Sequence, residues 1–71
     1  MDEIKLLDVV ALMEDLPEQG LRRGEVGTIV EKWSDGTFEV EFSDDSGEAY
    51  AFAAAPAEKL MKLYFRKDEA A

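Results

Sequence analysis

From Thr37 to Phe42 the chain alternates strictly, with Phe38, Val40 and Phe42 apolar and Glu39 and Glu41 charged between them. Successive side chains of an extended backbone point to opposite faces, so this stretch predicts a strand buried on one side only. "EVGTIVEKW", Glu25 to Trp33, predicts a partner strand ahead of it, and "LLDVVAL", Leu6 to Leu12, a first strand rich in aliphatic and β-branched residues. Between those two lies "EDLPEQGLRRG", which holds Pro17, Gly20 and Gly24. It can be neither a continuous helix nor a central strand, and it predicts an irregular surface crossing that Leu16 and Leu21 pin to the core. After the polar loop "SDDSG", "EAYAFA" (Glu48 to Ala53) predicts a fourth strand. "AAPAEKL" predicts a single helical turn around Pro56, and "LMKLYF", Leu60 to Phe65, a fifth strand.

The register of the central hairpin follows from the burial of charge. A two-residue turn at Asp35-Gly36 would set Glu31 opposite Val40 on the buried face, where an unpaired carboxylate costs several kcal/mol. A three-residue loop, Ser34-Asp35-Gly36 with Gly36 left-handed, instead pairs Trp33 with Thr37, Val30 with Val40 and Thr28 with Phe42. In that register Val26, Thr28, Val30, Phe38, Val40 and Phe42 share the inner face. Ile29, Glu31 and Trp33 then come out beside Glu41, Glu39 and Thr37, and Glu31 lies directly across from Glu39. Gly27, inside a strand, marks a bend or a close backbone approach.

Three longer middle strands, a long irregular loop after the first strand and a helical turn before the last are the element order of an SH3-like barrel. The expected fold is therefore all-β: a small five-stranded SH3-like barrel with one short helical turn before the last strand. With 71 residues the chain has room for one domain. Its core is expected over residues 6–65, with a frayed tail at 66–71.

Composition narrows the chemistry. The chain has no cysteine and no histidine, which removes disulfides, thiol catalysis, His-based triads and the usual transition-metal sites. No catalytic residue, cofactor or metal is expected. "DDSGE" lacks the spacing of a calcium loop, and the glycines of "GLRRGEVG" lack the phosphate-loop pattern and a following helix. Seventeen acidic against eight basic side chains give a formal charge of −9, which repels phosphate backbones. No nucleic acid is expected, and no membrane either, since no apolar run approaches a membrane span and the N-terminus is acidic. A cytoplasmic location is expected.

The stretches "DVVALMEDLPEQGLRRGEVGTIVE", "FEVEFSDDSGEAYAF" and "PAEKLMKL" make the chain resemble a family of small uncharacterised bacterial proteins of unknown function, over Leu6 to Leu63. The resemblance implies an SH3-like barrel. Because such proteins are often encoded beside another small gene, it also implies an antitoxin- or immunity-like role.

The residues that could carry a function are Ile29, Glu31, Trp33, Glu39 and Glu41. Trp33 either caps one end of the barrel beneath the long loop or stands outside as the anchor of an interface. In the second case the glutamates form a charged rim that steers a basic protein partner. The leading expectation is a non-enzymatic protein-interaction module. The alternative is a structural or regulatory subunit that forms homo-oligomers through an exposed edge at "LMKLYF".

Overall fold

A computed structural model describes residues 3–64 of the chain. It is all-β, with five antiparallel strands: β1 (Val9–Leu12), β2 (Val26–Lys32), β3 (Thr37–Ser43), β4 (Ala49–Pro56) and β5 (Leu60–Lys62). Two 3-10 turns interrupt them, at Pro17–Gln19 in the long loop and at Ala57–Lys59 just before β5. The strands form one sheet in the order β4-β3-β2-β1-β5. Among the described residues the ladder does not close between β4 and β5, so a five-stranded antiparallel sheet is what the pairing establishes.

One face of this sheet gathers a single core. Val10 and Leu12 enter it from β1, Ile29 from β2, Phe38, Val40 and Phe42 from β3, Ala53 and Ala55 from β4, and Leu60 from β5. Ile4 and Leu21 close over it from outside the strands. A sheet whose five strands send side chains to one cluster must curl, and the small alanines of β4 let that strand come close. The long loop is held as expected: Leu16 and Leu21 pair with each other, Leu21 is buried, and Leu16 packs against the core.

Three element ends differ from the sequence pattern by more than one residue. β1 starts at Val9 rather than Leu6, because Asp8 Oδ2 accepts the Lys5 N–H at 2.8 Å in a tight turn that leaves Leu6 and Leu7 exposed. β4 runs on to Pro56, where the missing N–H ends it and the helical turn begins. β5 is only three residues long; Leu63 and Tyr64 lie beyond it, and Phe65 and the tail at 66–71 fall outside the described residues.

The hairpin turn is the three-residue loop. Trp33 N–H donates to the Thr37 carbonyl at 2.9 Å, Gly36 N–H donates to the Trp33 carbonyl at 3.1 Å, and Gly36 has φ +92°. Asp35 Oδ1 accepts from both the Thr37 N–H and its hydroxyl, at 3.0 and 2.7 Å, which fixes the first residue of β3. Glu31 pairs with Glu39, as the loop requires. Beyond that pair the register slips by one, so that Ile29, not Val30, stands opposite Val40.

This bulge overturns the inner face assigned to β2. Ile29 is fully buried, whereas Val26 is 45% exposed and Thr28 and Val30 are only half-buried. The physical reason is that no uniform register satisfies both ends of the strand. One that turns Glu31 out also turns Ile29 out, and one that buries Ile29 also buries Glu31. A single extra residue at Val30 lets the aliphatic side chain go in and the carboxylate stay in water.

Candidate protein-interaction surface

The opposite face of the sheet carries exposed and half-buried side chains, and its pairing places residues in rows. Val9, Thr28, Glu41 and Phe52 lie abreast across β1, β2, β3 and β4; Glu31, Glu39 and Ala54 form the next row. Thr37, paired with Pro56 on β4 and bonded through its carbonyl to Trp33, makes a third.

Four of the five residues singled out in the sequence are brought together here: Glu31, Trp33, Glu39 and Glu41. Trp33 is 46% exposed, the exposure of a surface residue and not of a cap. Ile29 is the exception. It points into the core, so it is no part of this surface. Phe52 takes its place as the second large apolar side chain, 55% exposed beside Glu41. The signal for it was the alternation in "YAFAAA", where alanines at 51, 53 and 55 face inward and leave Phe52 outward.

Among the described residues, none of Glu31, Glu39 and Glu41 has an ion-pair partner; the two salt bridges join Lys59 to Glu14 and Lys62 to Asp8. Like charges directly across a strand pair repel by up to about 1 kcal/mol, so the Glu31–Glu39 pair is a local cost that the fold itself does not relieve. Lys32, next along β2, lies across from the inward-facing Phe38 and lines a groove of about 530 Å³ at the open end of the core with Ile4, Leu60 and Lys62. It is turned away from the glutamates.

The acids that do have partners serve the loops. Asp44 Oδ1 accepts the Ser46 hydroxyl and the N–H groups of Ser46 and Glu48, which shapes the turn between β3 and β4 and holds its carboxyl below the usual aspartate range. Glu25 accepts the Tyr50 hydroxyl at 2.6 Å and the Arg22 N–H at 2.8 Å, tying β4 to the end of the long loop. The Tyr50 bond, with the Arg22 N–H behind it, lowers the Glu25 pKa and correspondingly raises that of Tyr50. A carboxyl whose folded pKa is depressed adds stability above its unfolded value of 4.5, and that stability is lost as pH falls through the folded value. The stability gap between the wild type and Glu25→Gln, measured by urea unfolding, is therefore expected to be present above pH 4.5 and to shrink as the pH falls below it. A gap independent of pH would contradict this account of the Glu25 contacts.

No group of three or more His, Cys, Asp or Glu able to hold a metal occurs among the described residues, and no described helix is long and apolar enough to cross a membrane.

The model of a domain of unknown function, DUF4926, matches residues 6–62. The chain belongs to this family. The DUF4926 match spans all five strands and takes in Glu31, Trp33, Glu39, Glu41 and Phe52. No curated protein and no solved structure matches the chain.

Proposed function

We propose that this DUF4926 domain is a non-enzymatic protein-interaction module whose acidic outer face receives a basic partner protein in the cytoplasm. Its frame is of the SH3-like type, supported by the strand order in which the last strand returns to pair with the first and by the turn before it. The observation that carries the reading is the Glu31–Glu39 pair: two carboxylates are paired across neighbouring strands with no ion-pair partner among the described residues, next to a half-exposed tryptophan. Fold stability gains nothing from that arrangement, whereas a basic partner would relieve it and use the indole as its anchor. An antitoxin- or immunity-like role, neutralising a basic protein encoded nearby, fits this charge relation. Self-association through the last strand has less to rest on, since β5 offers an edge of three residues.

A pull-down from the native cell, with the neighbouring gene product as first candidate, would supply the partner. With that partner purified, Trp33→Ala is expected to weaken binding by about 2 kcal/mol, while leaving the unfolding midpoint nearly unchanged. Glu39→Gln is expected to slow association and flatten its salt dependence. Unchanged affinity in Trp33→Ala would remove the anchor and with it this reading.

A further inference from the structure

β4 is the edge of the sheet on the side of the acidic rows, and among the described residues no strand pairs with its outer edge. Trp33 N–H bonds the Thr37 carbonyl, so Thr37 turns its backbone groups toward β2. Backbone groups alternate in direction along a strand, so Glu39 and Glu41 do the same, while Phe38, Val40 and Phe42 turn theirs toward β4. Ile29 gives an independent check. Its N–H bonds Asp8 and its carbonyl accepts from Leu7, so it faces β1 and leaves Val40, its opposite number, to bond β4. Val40 pairs with Ala53 and Phe38 with Ala55. The intervening Phe52 and Ala54 therefore direct their N–H and carbonyl groups to the open edge.

Natural edges are protected by charges, prolines, bulges or brevity. Here a register shift at Phe42/Ser43 and Pro56 protect the two ends of β4, but between them Ala51 to Ala55 is unbroken and carries no charge. Ala54 is small and exposed, and Glu39 lies directly behind it on β3. A strand added beside β4 would run at about 5 Å from it, with Glu39 about 10 Å away across Ala54, a span that an arginine and a glutamate side chain bridge between them. A second copy of this chain would instead bring two glutamate rows and two charges of −9 together.

We propose that the edge of β4 takes up an extended basic segment of the partner as a sixth strand, with arginine or lysine at alternate positions lying over Ala54 toward Glu39 and Glu41. The inference rests on the basic-partner reading above and adds to it a backbone mode of recognition.

The test uses the full chain and an alternating arginine–valine octapeptide, acetylated and amidated, with the alternating glutamate–valine peptide as control. Binding of the basic peptide with slowed amide exchange at Phe52 and Ala54, and no binding of the acidic one, is the expected result. Ala54→Pro removes an N–H that the sheet itself does not use, at an edge where proline is tolerated, and is expected to weaken peptide binding at least tenfold. Glu39→Gln is expected to weaken it less. Binding that depends on Trp33 and Glu39 but leaves the exchange of Phe52 and Ala54 unchanged overturns strand addition while the acidic-face reading survives. Failure of the wild type to bind the basic peptide overturns strand addition as well, and the fate of the acidic face is then decided by Trp33→Ala against the native partner. If sedimentation of the protein alone gives a dimer with Phe52 and Ala54 already protected, the edge belongs to a second copy and the proposal fails.

Discussion

Ile29→Ala is expected to lose about 3 kcal/mol of stability, and Val30→Ala less than about 1 kcal/mol. Ile29 is fully buried in the cluster with Val10, Val40 and Phe42, so truncation removes its burial and leaves a cavity walled by strands that cannot collapse far. Val30, the extra residue of the bulge, is only half-buried and has less to lose. A domain of this size has roughly 3 to 5 kcal/mol to spare, so Ile29→Ala would leave much of the population unfolded; Ile29→Val, costing about 1 kcal/mol, keeps the comparison measurable by urea titration. A uniform register would reverse the order of the two sites. Finding Val30 the more sensitive would therefore overturn the bulge.

Gly27→Ala is the second severe change, expected to cost about 2 kcal/mol or more and to lower Tm by roughly 10 °C. Gly27 lies opposite Phe42, and a Cβ placed on it would meet Val40 Cγ1 at 2.6 Å, the Glu41 carbonyl oxygen at 2.8 Å and Phe42 Cδ2 at 3.0 Å. The valine could turn aside, but the oxygen belongs to the backbone of the neighbouring strand and moves only if the sheet does. The constraint is one of space, since Gly27 is not among the glycines with positive φ. A thermal midpoint within a few degrees of the wild type would show that the sheet yields and that the close approach is not required.

These two positions also show what the sequence could disclose. β3 was legible because its alternation is uninterrupted and its two faces differ in charge, so Phe38, Val40 and Phe42 fall in the core as their spacing demands. The turn was legible because only one loop length keeps Glu31 in water and gives a glycine to the left-handed position. β2 was not, because "EVGTIVEK" is apolar at both parities over Val26 to Val30, and counting from the turn cannot reveal a bulge inserted beyond the Glu31–Glu39 pair. The conflict between Ile29 and Glu31 was present in the sequence, but resolving it needed the possibility of a register change. Glu31, Glu39 and Glu41 depend only on the turn-proximal register or on β3, which the sequence discloses, whereas the choice between Trp33 as a cap and Trp33 as a surface residue needed the structure, where it is 46% exposed. Ile29 was misplaced because it alone lies past the bulge. β4 was cut short because alanines carry too little hydrophobic contrast to mark where a strand stops, and its role as the long edge emerges only from the order of the strands.

That order also sets a sequence of events during synthesis. β2, β3 and β4 are neighbours in the chain and can pair as each emerges from the ribosome, whereas β1 finds its second partner only in Leu60 to Lys62, at the far end of the matched domain. Until then β1 stands as an open edge and Asp8 waits for the ammonium of Lys62, 3.2 Å away in the finished fold. A nascent or C-terminally clipped molecule that lacks β5 would expose Val10 and Leu12, two buried residues of the core, along a strand with one side unpaired.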